Sequence, residues 1–311
     1  MEPGQTPKLS SLRWQILRRA LRQRPSSAPD NQCDGFRLES ISRRARYGFD
    51  LIPWHVVGEG RGVSDSFSDR EACLCYTLPL PNSPMLFLRQ RWEASVDLHD
   101  FEVCNQYDID NTGLVCQWPS EEILAYYSMS HLSSFRGKKI IELGSGYGLA
   151  GLVIAMATEA SEVVISDGNP QVVDYIQRNI DANSASFNGT TVKSMILHWD
   201  QHEIADMVGT FDVIVASDCT FFKKFHKSLA QIIKHLLKEN GPAKAILFNP
   251  KRGDSLDMFL AAVKDTGLQF NLNETYDMEV WKRHMKFISG DPSWPNYEPD
   301  HCYPLLISIT R

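Results

Sequence analysis

The residues best suited to chemistry lie between Lys138 and Gly151, KKIIELGSGYGLAG, with an acid, Asp167, further along. Ile140, Ile141 and Leu143 form a short apolar run bounded by charge and glycine, the pattern of a buried strand. Gly144, Gly146 and Gly148 then alternate, and Leu149, Ala150, Leu152, Val153, Ala155 and Met156 follow as the apolar positions of a helix. Strand, glycine turn and helix in that order build a nucleotide-binding site. Glycine permits positive φ and lets backbone N–H groups approach a ligand that a Cβ would hold off. Val163, Val164 and Ile165 make the next strand, and a carboxylate at its end, Asp167, can accept hydrogen bonds from two ribose hydroxyls. Gly146-Tyr-Gly-Leu-Ala-Gly151 satisfies the dinucleotide spacing G-x-G-x-x-G, with Asp167 21 positions after Gly146. The turn nevertheless starts earlier, at Gly144, and a second acid, Glu142, lies inside the strand, so a different ribose-bearing cofactor is also open. The plainest alternative is a glycine-rich turn with a surface aspartate.

Positioning these residues takes a sheet. Strand-like runs recur at 192–197, 211–217, 243–248, 268–272 and 303–310, with helix-like runs at 172–182, 225–238 and 255–266. This alternation through the carboxy-terminal two thirds predicts a doubly wound α/β sheet. The run 211–217 is nearly all apolar, as a central parallel strand should be. Pro119, followed by Glu121 and Glu122, predicts a helix start in which the two acids answer the positive end of the helix dipole. Trp118 just before it is either a staple anchoring that helix or an aromatic able to cover a cationic ligand. Between Phe36 and Trp92, runs at 36–41, 73–78 and 85–88 predict a small β-rich layer, with Cys73 and Cys75 as strand residues and an exposed loop at 58–69. Residues 11–24 read as a basic amphipathic helix ended by Pro25 and followed by a Pro/Ser linker. The expected organisation is therefore a basic helix and linker over 1–32, a β-rich region over 33–104 and the cofactor-binding domain over 105–311.

The net charge of −6 is unevenly spread, since the first fifty residues carry +5 and the rest −11. An acidic body argues against nucleic-acid binding as the main task, whereas the basic arm suits an acidic partner. For that arm four readings stand: packing on the body, a calmodulin-type target helix, a membrane-surface helix and a transit peptide. Seven cysteines without a C-x-x-C pair suggest neither a disulfide framework nor a metal site, and fit a reducing compartment. No apolar stretch approaches the ~18 to 20 residues of a membrane span, and no signal-peptide core is present. A soluble intracellular protein, with a monomer favoured, is the expectation.

Four landmarks occur in order: Trp118-Pro-Ser-Glu121, Glu142-Leu-Gly-Ser-Gly-Tyr-Gly148, Leu197-His-Trp-Asp200, and Asp218-Cys-Thr-Phe221 after the strand at 211–217. Glu142-x-Gly-x-Gly-x-Gly148 resembles motif I of the Rossmann-like S-adenosylmethionine methyltransferases. Together the four resemble the seven-β-strand protein-lysine methyltransferases, whose hallmark is an acid-x-x-aromatic motif after the fourth strand. NTGLVCQWPSEEILAYY at 111–127, the Asp167-Gly-Asn turn, Asn249-Pro-Lys-Arg-Gly253 and His301-Cys-Tyr-Pro-Leu-Leu-Ile307 are similar to the branch that acts on calmodulin. The likeness covers 105–311 and, more loosely, the helix around Trp14. It implies an α/β fold with a Rossmann-like seven-stranded methyltransferase sheet and helices on both faces, preceded by the small β-rich layer. It implies S-adenosyl-L-methionine as cofactor and calmodulin as substrate, in cytoplasm and nucleus. By the same resemblance Glu142, Gly144, Gly146 and Gly148 hold the methionine end of the cofactor and Asp167 its ribose. Trp199 and Asp200 meet the adenine, Trp118 closes the pocket, and Asp218 and Phe221 receive the lysine. Phe221 has no hydroxyl with which to bond the amine. A methyltransferase of another protein lysine, an NAD-type oxidoreductase and a non-catalytic calmodulin-binding adaptor are the alternatives. The oxidoreductase lacks an evident acid/base residue, and the intact glycines and Asp218 oppose the adaptor.

Overall fold

The computed structural model describes residues 47–57, 71–82, 84–91, 100, 103–104, 109, 112–115, 117–200 and 205–311. The predicted helix at 11–24 with its linker, the strand at 36–41 and the loop at 58–69 lie outside the described residues. Residues 42–311 belong to one compact unit.

Two sheets are present among the described residues. The first is antiparallel, with β1 (Trp54–Val56), β2 (Glu71–Thr77) and β3 (Met85–Arg91) in the order β1-β2-β3. Then follow α1 (Thr112–Val115), α2 (Pro119–Ser130), β4 (Lys139–Leu143), α3 (Leu149–Ala157), β5 (Glu162–Asp167), α4 (Pro170–Asn183) and β6 (Thr191–Ile196). The chain continues through β7 (Val213–Ser217), α5 (His226–Leu236), β8 (Lys244–Asn249), α6 (Ser255–Asp265), β9 (Gln269–Asn273), α7 (Met278–Ile288), α8 (Pro299–Cys302) and β10 (Leu305–Thr310). The second sheet has seven strands in the order β6-β5-β4-β7-β8-β10-β9. Strands β6, β5, β4, β7 and β8 are parallel, and β10 runs antiparallel to both β8 and β9. The predicted α/β sheet is present, as is the small layer before it.

Burial follows position in the sheet. All five residues of β7 are buried, as a central strand covered on both faces requires, whereas the edge strands β6 and β9 have no buried residue. Strand order reverses between β4 and β7, because β5 and β6 extend to one side and β8 to the other. In open α/β sheets ligands bind beyond the carboxyl ends of the strands at such a switch point.

The small sheet is tied to the large one by side chains of α4. Asn183 Oδ1 accepts the Phe87 amide at 2.9 Å while its Nδ2 donates to the Phe87 carbonyl at 2.7 Å. One turn earlier, Asn179 does the same for Arg89, at 2.7 and 3.1 Å. Two asparagines four residues apart thus act as a neighbouring strand for β3, an edge that would otherwise be left unpaired on that side. Tyr175 and Arg178 of the same helix both bind Glu71.

Candidate active site

A cleft enclosing about 850 Å³ of free space, part of it open to solvent, lies at the switch point. Its floor is the glycine turn. Gly144 has φ of +62°, and a Cβ there would stand 2.8 Å from Cys219 Sγ and 3.0 Å from Trp199 Cζ2. No other residue type fits. Gly146 donates its amide to Asp167 Oδ2 at 3.1 Å, and Asp167 Oδ1 accepts the Asn169 amide at 2.9 Å, which fixes the carboxylate at the end of β5. Gly113 of α1 faces this pair.

Not every residue singled out in the sequence lines the cleft. Gly144, Gly146, Asp167, Trp118, Trp199, Asp218 and Phe221 do. Glu142, Gly148 and Asp200 stand outside the lining. Glu142 is buried beneath the turn, where its Oε2 accepts the Gly151 amide at 2.9 Å. Gly148, at φ +81°, precedes α3 and packs on Ile165. The Asp200 carboxylate accepts a hydrogen bond from Ser228 on α5.

The acid of α2 has a larger role than its helix dipole suggested. Glu121 is buried, lines the cleft, and accepts the Leu149 amide at 2.7 Å, so it caps the start of α3 from another helix. Burial pushes its pKa up to about 8, against the lowering effect of the Leu149 and Ala150 amides. Burial likewise raises the Glu142 carboxyl well above its ordinary range, with the Glu121 charge adding to the rise. Glu122 points the other way and gathers the amides of Phe49, Leu51 and Ile52. The first turn of α2 thereby holds both the glycine-turn helix and the segment before β1.

The opposite wall comes from the end of β7. Asp218 is buried and has φ of +56°, a left-handed conformation unusual for a residue with a Cβ. Its amide donates to the Phe248 carbonyl at 2.9 Å, and the next amide, Cys219, donates to Asn249 Oδ1 at 2.8 Å. Thr220 is held by its carbonyl, which accepts from Ser255 Oγ at 2.6 Å and from His226 Nε2 at 2.7 Å. This turn delivers Phe221 toward Trp118, with ring centroids 6.3 Å apart. Phe222, Phe225, His198 and Trp199 extend the aromatic wall.

Asp218 also has a partner that sequence reading gave no role. Both Nη atoms of Arg252 bind its carboxylate, the Nη2 contact at 2.9 Å, and the guanidinium lies 5.3 Å from the Trp118 ring and 5.4 Å from the Phe221 ring. Desolvation raises the Asp218 pKa while Arg252 lowers it. Arg252 follows β8 at the carboxyl edge of the sheet, the edge on which α/β sites are built, and that placement was the available signal.

A family description of lysine methyltransferases matches residues 102–266, just over half of the chain and all of the wall-forming segments from α2 to β7. The chain belongs to the lysine methyltransferase family. Over 302 residues this methyltransferase is 59% identical to a calmodulin-lysine N-methyltransferase of Arabidopsis thaliana, covering 97% of each protein. It is 29% identical over 180 residues to a protein N-terminal and lysine N-methyltransferase of Yarrowia lipolytica, covering 49% of this chain and 64% of that one. Among solved structures, an S-adenosylmethionine-dependent methyltransferase from Mesorhizobium loti aligns over 60% of this chain and 98% of its own, at 13% identity and a TM-score of 0.41.

The methyltransferase uses S-adenosylmethionine as methyl donor, and the cleft suits it. The ligand carries positive charge, and the Asp167 carboxylate lines the cleft beside the glycine turn, while burial holds Glu121 and Glu142 toward their neutral forms. Glu142 Oε1 is buried beneath that turn with no hydrogen-bond partner. Among the described residues no helix is long and apolar enough to cross a membrane.

Proposed function

We propose that this enzyme methylates a lysine side chain of calmodulin, in the cytoplasm and nucleus. The observation that carries the substrate is the likeness to the Arabidopsis protein over 97% of both chains. Thiols at Cys73, Cys75 and Cys302 fit a reducing compartment. Asp167 takes the ribose of the cofactor, Gly144 and Gly146 let its amino-acid end approach the backbone, and Trp199 covers the adenine. Glu142 and Gly148 support the glycine turn from behind, by the contacts given above, and Asp200 ties the segment after β6 to α5 through Ser228.

S-Adenosylmethionine supplies an electrophilic methyl group on a positively charged sulfur. The chain's own part is to present a neutral amine in line with it and to exclude water. A lysine ammonium with pKa near ~10.4 has to shed a proton first. Asp218 accepts a hydrogen bond from the amine and directs its lone pair, and its burial behind Trp118 and Phe221 keeps that bond out of solvent. Phe221 and Trp118 offer π faces to the amine, which regains a positive charge on methylation. The aromatic wall leaves a narrow apolar approach suited to the lysine stem.

Labelled methyl transfer from S-adenosylmethionine to calmodulin made in bacteria tests the assignment directly. Incorporation into one lysine is expected. Incorporation into other lysine proteins but none into calmodulin would replace the substrate, and no incorporation with any protein would remove the activity.

A further inference from the structure

The box assigned above to the substrate amine consists of one carboxylate and two aromatic faces, and it already contains a cation. Arg252 pairs in bidentate fashion with Asp218 and sits within cation–π distance of both Trp118 and Phe221. The pair is well shielded, with side-chain exposures of 16% for Arg252 and 5% for Asp218, so salt screens it little. Acid and aromatics are the main attractions a substrate ammonium would have there, with Ser120 Oγ 3.5 Å from Asp218 Oδ2 beside them. The same groups cannot serve both cations at once.

We infer that Arg252 is a tethered competitor of the substrate lysine, which has to displace its guanidinium from Asp218 before methyl transfer. This inference rests on reading Asp218 and Phe221 as the lysine channel. The anchoring of the loop agrees with it. Arg252 and Gly253 are consecutive left-handed residues, at φ +46° and +65°, between β8 and α6. Asp300 holds their backbone, its carbonyl accepting the Arg252 amide at 2.9 Å and its carboxylate the Gly253 amide at 2.7 Å. With the backbone fixed, the head group leaves by side-chain rotation alone. An arginine has the torsions to do so.

A competitor built into the chain imposes the same handicap on every lysine. Contacts remote from the lysine are then needed to offset it, and only a folded protein substrate supplies them. Free amines and short lysine peptides are excluded without any steric filter. Arg252 in this reading is a specificity residue that acts against unwanted substrates.

The test compares the parent with Arg252→Gly, which keeps the left-handed backbone and removes the cation. Arg252→Asn serves as a second variant that tolerates the same φ. Both variants leave the buried Asp218 without its partner and should lose stability, so folding is checked by thermal midpoint and by S-adenosylhomocysteine affinity, the latter expected to stay at the parent value. With n-butylammonium as probe, inhibition of calmodulin methylation should strengthen by about tenfold or more, the scale set by a close buried charge pair. The KM for a short calmodulin peptide containing the target lysine should fall more than the KM for whole calmodulin. Arg252→Lys, which keeps a cation, should retain most of the parent's resistance to the amine. Unchanged inhibition by n-butylammonium together with a fall in kcat would make Arg252 a strut for Asp218 and overturn the competitor. Asp218→Asn separates the two readings. If that variant works at the parent rate, the lysine channel and the competitor fall together; if it is inactive while Arg252→Gly is indifferent to the amine, only the competitor falls.

Discussion

Glu121 on α2 accepts the backbone amide of Leu149 on α3 at 2.7 Å, so the first turn of one helix caps the start of another across the cofactor cleft. Its carboxyl is raised by burial to about 8. An unfolded chain would release this proton near the ordinary carboxyl value. Between that value and about 8 the folded protein therefore binds more protons than the unfolded one, and stability must fall as pH rises through the window. Thermal midpoints measured from pH 5 to 9 should show this slope in the parent. Glu121→Gln keeps an acceptor for Leu149 and cannot ionise, so its slope should be flatter and its relative stability highest at alkaline pH. Parallel profiles for the two proteins would mean that Glu121 is ionised throughout.

Asp167 receives the Gly146 and Asn169 amides and still faces the cleft. Losing its hydrogen bonds to a ligand is worth about 1.5 to 3 kcal/mol each. Calorimetry with S-adenosylhomocysteine should show the affinity of Asp167→Ala weakened by that scale. An unchanged affinity removes the ribose assignment.

Asp218→Asn should lower methyl transfer to calmodulin by about a hundredfold or more, the lower range for positioned proton-handling groups, and Phe221→Ala should lower it as well, through loss of the aromatic face that shapes the lysine channel. Cofactor-product affinity should persist in both. Asp218→Ala is the poorer probe, because it leaves the shielded Arg252 cation with neither counter-charge nor acceptor, whereas Asn keeps one acceptor oxygen; breaking a buried pair from one side costs about 3 to 5 kcal/mol of stability, so folding is checked in both. Parent-level turnover by Phe221→Ala would show that the aromatic is dispensable.

Gly151 is the third glycine of the dinucleotide-like spacing, and it touches structure rather than ligand. A Cβ there would lie 2.6 Å from Glu142 Oε2 and 2.7 Å from Ile165 Cγ1. Gly151→Ala should destabilise the fold by about 1 to 3 kcal/mol, the usual cost of overpacking. Urea midpoints measure this, and an unshifted midpoint would show that α3 can lift from β5 without cost.

What the sequence made legible was local. The glycine turn, the acids at strand ends and the helix entry at Pro119 are short-range patterns, and each stands where it was expected. Pairing is not local, and nothing in the runs at 268–272 and 303–310 shows that β10 inserts antiparallel between β8 and β9. Helix α7 went unread because its buried stripe is short, Val280, His284 and Phe287, with a histidine in the middle; Asp277, whose carboxylate caps the Glu279 and Val280 amides, was the overlooked signal. Glu121 and Glu122 are adjacent and chemically alike, yet one faces the cleft and the other the segment before β1. Only the neighbours that each meets in the fold distinguish them. Arg252 was hidden for the same reason, since its partner Asp218 lies 34 positions away.

The two asparagines that complete the edge of β3 also connect distant hydrogen-exchange behaviour. The Phe87 and Arg89 amides are released to solvent only when Asn183 and Asn179 withdraw, which requires α4 to open. That helix begins at Asn169, whose amide is held by the cleft carboxylate Asp167. A ligand drawing on Asp167 therefore slows opening at the start of α4, and the protection should be inherited about three to four turns later by amides of a sheet that lends no described side chain to the cleft.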